Sequence, residues 1–387
     1  GILGVFKYYN FFALEVQHGL DLLGFQANPY LLKVALPIGI SFYTFHGMSY
    51  VFDIYRGQQK PVRNFIDYAV FVSFFPLLVA GPIERANHLL PQVQKARTFR
   101  YQQALEGCRL ILWGLFKKVV IADTLAGIVD QIYQNPTELN SYTLILGAIG
   151  FSFQIYGDFS GYSDIALGTA KLFGFELLSN FKFPYFSRDL AEFWRRWHIS
   201  LSSWFRDYLY IPLGGSKNGK AKAIRNTFII FLVSGFWHGA SWNFIVWGLI
   251  HACGFLPLLL LNKNRQHTTD VVAQHQILPS WKELFQMLGT FTFVTFAWIF
   301  FRADTLTDAA LYLQTLCTKW NSNGGIQGMS VVVWGALLLL LDWYLRHNER
   351  TLRVPAQRIL RNGIYFVFAL SVLLKLGSHQ SFIYFQF

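Results

Sequence analysis

Seven long apolar runs punctuate this chain, at 65–83, 105–129, 142–157, 226–261, 284–301, 331–345 and 363–376. Each is near the roughly 20 residues that cross a bilayer as a helix. Only helices and closed barrels satisfy their backbone groups inside lipid, and these runs lack the period-two alternation of barrel strands. The pattern predicts an all-α polytopic membrane protein, a single domain over 1–387. Composition agrees. Charged residues make up 14% of the chain, against roughly 25% in ordinary soluble domains, and the mean hydropathy is +0.32. The net charge of +12 does not point to nucleic acid, because the basic residues gather in short segments between runs, as the positive-inside rule expects.

Those basic segments give a topology. The segment 188–225 holds eight Lys or Arg and three acids, and 346–361 holds five Arg and one acid. Both are placed on the cytoplasmic side. Working backwards, 302–329 is then an outer loop, 262–283 is cytoplasmic, and the last run leads outward. The 36 apolar residues of 226–261 must enter and return. That is short for two crossings of ~20 residues each, so a buried turn is expected between Gly235 and Asn243. His238 lies about 18 Å along such a helix at ~1.5 Å per residue, past the middle of a hydrocarbon core ~30 Å thick.

Two histidines stand out in aromatic surroundings. His198 lies in FWRRWHISLSSWFRDYLYIPLGG (193–215), and His238 in VSGFWHGASWNFIVWG (233–248). A buried imidazole is either a satisfied packing group or a functional one, and ionisable groups at membrane depth are functional candidates by default. His46 and His251 read as core or cavity residues. Asp158 and Asp164, in GDFSGYSDIALG, are expected to pair with arginines or cap helices. Lys117 and Lys118 interrupt an apolar run and suggest an interfacial or broken helix. PLGGSKNGK (212–220) has neither Walker spacing nor a preceding strand, and is read as a loop. Three scattered cysteines, Cys108, Cys253 and Cys317, support neither a disulfide framework nor a zinc site, and no other metal set is seen. Cys108 and Cys253 are expected in the core.

The same residues resemble a known family, the membrane-bound O-acyltransferases. The likeness is carried by 193–215 together with SGFWHGASWNFIVWGLIHA (234–252). LPIGISFYTF (36–45), SFFPLLVAGPIER (73–85), GLFKKVVIAD (114–123), QIYGDFSGYSDIALGTAKLFGF (154–175) and the terminal FIYFQF (382–387) agree. The order and spacing fit best the branch that O-acetylates bacterial exopolysaccharides such as alginate. Relatives acetylate peptidoglycan or D-alanylate teichoic acids. The resemblance implies tilted and broken helices around a central cavity. It implies transfer of acetyl from a cytoplasmic donor, acetyl-CoA as substrate with no bound cofactor, across the inner membrane. A periplasmic acetyltransferase partner would then modify the polymer. It places the family's invariant histidine on His238 and its second histidine on His198. Family members carry further N-terminal spans, and this chain, opening GILGVFKYYNFF, reads as a segment of a longer protein.

The chemistry can be argued from the residue types. Transfer from a thioester to a hydroxyl needs a general base and donors for the developing oxyanion. A neutral imidazole at His238 suits the base role. Arg195, Arg196 and Arg206 are candidates for the phosphates of the donor, since guanidinium forks suit phosphate, and positive-inside anchoring explains them equally well. Trp237 is grouped with them as a donor-binding candidate. The tail SFIYFQF is too apolar for a solvated terminus, so it should be tied down at the outer interface or in the cavity. Its Tyr384 is a candidate acyl relay, a hydroxyl that a nearby histidine could activate. A proton-coupled transporter is the rival of another class, and it would show repeated halves with matching broken helices. None is seen.

Overall fold

In the computed structural model, residues 2–26, 28–33, 37, 39–217, 219–320, 325–377 and 382–383 are described. Among them the regular elements are all helical. In chain order they are α1 (Ile2–Leu22), α2 (Ile40–Tyr55), α3 (Phe65–Ser73), α4 (Ala86–Gln94), α5 (Tyr101–Leu115), α6 (Asp123–Gln134) and α7 (Ser141–Leu172). There follow α8 (Leu190–Arg196), α9 (Ile199–Phe205), α10 (Lys220–His238), α11 (Trp242–Leu260), α12 (Trp281–Arg302), α13 (Leu306–Thr318), α14 (Ser330–Leu345) and α15 (Arg358–Lys375). Local sequence starts several of them. The Asn140 side chain accepts from Thr143 N at 2.9 Å to open α7, and Asp189 accepts from Glu192 N at 2.7 Å to open α8. Ser280 with Glu283, and Thr305 with Asp308, form capping boxes at α12 and α13. Each cap satisfies amide groups that a helix leaves orphaned.

The centre of the fold is α7. It packs against α5, α6, α12, α13 and α14, and at 32 residues it is ~48 Å long at ~1.5 Å per residue. Its approach to α5 depends on glycine. A Cβ on Gly107 would lie 2.6 Å from Gly168 O and one on Gly168 2.5 Å from Gly107 O, and Gly114 and Gly161 repeat the reciprocal contact a heptad away. Small residues let backbones meet where a hydrophobic drive between helices is weak.

A π-helical stretch, Phe116–Ala122, joins α5 to α6. It turns both consecutive lysines toward α7. Lys117 pairs with Asp164 at 2.8 Å and donates to Ser160 Oγ at 2.8 Å. Lys118 pairs with Asp158 at 2.8 Å and Asp123 at 2.7 Å. The expectation for these residues is thus corrected in part. The aspartates pair with lysines rather than arginines or helix caps, whereas the lysines do mark a broken helix, the π-helical stretch itself, from which they face α7. A lone charge there would be costly, and the pairing offsets part of that cost.

Two helices, α11 and α12, are long and apolar enough to cross a membrane by length and composition. The other expected spans differ for identifiable reasons. The run 142–157 lies inside α7, which also carries Asp158, Asp164 and Lys171. The run 105–129 is interrupted by the lysine-bearing π turn, and α14 has 16 residues. Large apolar side chains nonetheless cover outer faces, including Phe285 and Leu288 on α12, Leu340 on α14, and Phe366 and Leu374 on α15. Such faces suit lipid contact. Cys108 and Cys253 are exposed rather than in the core; a small weakly polar side chain fits an apolar outer face as well as an interior.

The three segments assigned to one side do share a face. Arg188 pairs with Asp270 at 2.7 Å, and Arg196 donates to Asp270 O at 2.8 Å. Arg346 donates to Gln276 O at 2.8 Å. Burial pushes the Asp270 carboxyl up, but hydrogen bonds from Arg188 and His267 outweigh it and hold the pKa below the ordinary carboxylate value. At the opposite end, Arg302 pairs with Asp130 at 2.6 Å.

Candidate active site

The run 226–261 forms a helical hairpin, α10 and α11, turning at Gly239–Ser241. Two glycines allow the close crossing. A Cβ on Gly235 would lie 2.1 Å from Phe244 O, and one on Gly248 2.3 Å from Phe231 O. The helix α10 begins at Lys220, six residues before the apolar run. Its tip reaches the far end of α12: Asn243 Nδ2 donates to Ala303 O, just past the end of that helix, at 2.5 Å.

His238 is the last residue of α10 and is buried. Its ring meets those of Trp237 at 4.8 Å, Trp247 at 5.3 Å and Phe301 at 5.2 Å between centroids. His198 is 1% exposed. It precedes α9 with φ 43°, in the left-handed region, which non-glycine residues rarely adopt and which gathers at functional sites. Its ring lies 4.7 Å from Phe159 and 6.3 Å from Trp237. Neither ring nitrogen of His198 has a hydrogen-bond partner among the described residues. Buried polar atoms are paired as a rule, so such an imidazole calls for an explanation. The structure thus brings the two predicted histidines to one indole, that of Trp237.

A cavity of about 290 Å³ opens between the basic segments, walled in part by α9 and α10, the helices at whose ends this pair stands. Arg195, Arg206 and Arg265 line it, with Ser202 and Ser234. Ser234 lies one helical turn before His238 on α10, and Ser202 lies one turn beyond His198. The three predicted arginines divide. Arg195 is on the cavity, held by Asn264 O at 3.0 Å and His267 O at 3.2 Å. Arg206 is also on it, exposed and paired with Asp207 at 2.7 Å. Arg196 does not line it; its guanidinium is buried in a pair with Glu192 at 2.7 Å. Sequence reading missed Arg265, whose segment carried no motif.

Other candidates fall into structural roles. His46 Nε2 accepts from Glu84 N at 3.0 Å. His251 is fully buried between Trp194 and Trp247. The loop 212–220 is tied down by Asn226, whose Nδ2 reaches Leu213 O and Gly215 O; its Asn218 lies outside the described residues. In the tail, Phe382 packs on Tyr162 at 5.0 Å, and Ile383 N donates to Asp158 at 2.7 Å. Phe382 and Ile383 are therefore tied to α7, Phe382 beside the Phe159 that meets His198. Tyr384 lies outside the described residues.

The opening helix was also missed. Tyr8 stacks on Phe236 at 4.4 Å, and Glu15 accepts from Trp242 Nε1 at 2.9 Å. Lys7 Nζ donates to Trp237 O at 2.6 Å and His238 O at 2.9 Å. The available signal was a single lysine in an otherwise uncharged stretch, GILGVFKYYNFF.

A model of the membrane-bound O-acyltransferase family matches residues 58–298. A probable alginate O-acetylase of Pseudomonas putida is 38% identical over 424 aligned residues, covering all of this chain and 82% of that protein. Its counterpart in Pseudomonas aeruginosa is 42% identical over 80% of this chain and 56% of its own length. A peptidoglycan O-acetyltransferase of Helicobacter pylori is 35% identical over 85% of this chain and 64% of its own length. The chain thus spans little more than half the length of several curated relatives it matches.

Proposed function

Because the chain belongs to the membrane-bound O-acyltransferase family, we propose that it is a polytopic inner-membrane O-acetyltransferase serving exopolysaccharide acetylation, with alginate as the leading acceptor. Similarity to alginate O-acetylases at 38–42% identity, against 35% for the peptidoglycan enzyme, favours that acceptor. The acyl donor is acetyl-CoA, and a periplasmic acetyltransferase partner places the acetyl group on the polymer.

The observation that carries the reading is the convergence of two buried imidazoles on Trp237, each one helical turn from a serine on the wall of an arginine-lined cavity. The donor enters from the basic face. Arg195, Arg206 and Arg265 take its phosphates, because planar guanidinium forks match phosphate oxygens. The thioester then points past Ser234 toward His238. A hydroxyl attacks the carbonyl carbon while His238 takes its proton, the C–S bond breaks, and the proton returns to the departing thiolate. His198 presents a second imidazole to the same indole, that of Trp237. Tyr384 would receive the acetyl group and hand it to the partner, consistent with a tail anchored beside Phe159.

Purified protein assayed for acetyl-CoA turnover and polymer acetylation tests this. His238→Ala should lose ~10²–10⁴ in rate, the usual contribution of a general base, with expression and membrane insertion intact. Near-normal acetylation by that variant overturns the assignment.

A further inference from the structure

We propose that Lys7 is a positioning residue for the two-histidine site. The inference rests on the reading of His238 as the base and goes beyond it, by naming what holds that base in place.

The argument starts at the end of α10. Helices leave their last carbonyls without partners, and many solve this with a left-handed residue that folds the backbone back over them. This helix does not. Gly239 is extended, with φ −160° and ψ 149°, so the chain departs for α11 at once. The cap N–H makes a long return bond, Gly239 N to Gly235 O at 3.5 Å. Lys7 Nζ donates to the carbonyls of both Trp237 and His238, at this end of the helix. A cation at a helix C-terminus also meets the negative end of the helix dipole. The same ammonium stands 5.7 Å from the Trp237 ring centroid, the ring that both histidines touch. One group therefore fixes the peptide units of Trp237 and His238 and faces the indole that both imidazoles touch.

No other α1 side chain does this. Tyr8 and Glu15 dock α1 on the hairpin through Phe236 and Trp242, and neither reaches the terminal carbonyls in the structure. The sequence supplies a lysine at one position of this apolar helix, and it is the position that meets the unclosed end of α10.

Full-length chain in membranes or detergent, with kcat and KM for acetyl-CoA measured separately, provides the test. Lys7→Met should lower kcat by ~10–10²-fold, the scale of a misplacement of about 1 Å, with KM unchanged. Lys7→Arg, which keeps donors and charge, should restore most of kcat. Tyr8→Leu and Glu15→Gln, which weaken docking without touching the carbonyls, should change kcat far less. Wild-type kcat in Lys7→Met, a rise in KM alone, or equal losses in Tyr8→Leu and Glu15→Gln would overturn the proposal. If Lys7→Met fails to fold, Lys7→Gln and Lys7→Arg decide it: graded kcat supports positioning, and equal kcat refutes it. His238→Ala is run in parallel. An active His238→Ala sinks the base assignment, whereas an inactive His238→Ala beside a fully active Lys7→Met sinks only the role of Lys7.

Discussion

Substituting Gly235 by alanine probes the link between helix packing and chemistry. The added Cβ would stand 2.1 Å from Phe244 O, and ordinary contact begins at 3.4 Å. The obstructing atom is backbone within α11, so no side chain can swing aside. The helices must separate by about 1.3 Å, the difference between those two distances. His238 is three residues further along α10, within the same turn, and moves with it relative to Trp247 on α11 and Phe301 on α12. A misplacement of ~1 Å at reacting groups costs ~10²-fold in rate, or about 2.7 kcal/mol of barrier. Overpacking should also lower stability by ~1–3 kcal/mol, so thermal unfolding in detergent must be followed beside activity. Gly289→Ala on α12 is the control, since nothing lies within 4 Å of its Cβ. The expected result is a Gly235→Ala protein that is inserted and folded, with kcat for acetyl transfer down ~10²-fold, and a Gly289→Ala protein close to wild type. Wild-type kcat in folded Gly235→Ala would refute the claim that this crossing sets the position of His238.

Two further outcomes follow from the buried charges and the cavity. Lys117→Met leaves Asp164 buried without its lysine and should destabilise the protein by ~3–5 kcal/mol; adding Asp164→Leu should recover most of that loss, and thermal unfolding of the single and double variants in detergent checks it. Arg206→Ala should raise KM for acetyl-CoA by ~10-fold, as loss of a charge-assisted phosphate contact does, with little change in kcat; a shorter thioester lacking the nucleotide phosphates should show no such difference in steady-state assays.

What the sequence made legible follows the range of the interaction responsible. The hairpin at 226–261 could be read because apolar length is a local property, and a run too short for two crossings forces a turn inside it. The common face of 188–225, 262–283 and 346–361 could be read because the positive-inside rule needs only local counts of Lys and Arg for the first and last, and the alternation of apolar runs then places the middle one. His198 and His238 could be singled out because each sits among aromatic neighbours in its own segment. Their meeting at one indole could not, since 40 positions separate them and the left-handed turn at His198 that aims the ring is set by tertiary packing. The lysine–aspartate pairs show the same limit. Lys117 and Lys118 face their partners only because the intervening backbone widens into a π turn and because four glycines bring α5 onto α7. Arg196 and Arg206 look alike in sequence, yet one neutralises Glu192 in the interior and the other faces the cavity. Lys7 is the extreme case: its partners are backbone carbonyls more than 200 residues away, and no side-chain pattern announces an unclosed helix end. Residues that act through the backbone are those that a reading of side-chain types overlooks, and in this fold they stand nearest the proposed chemistry.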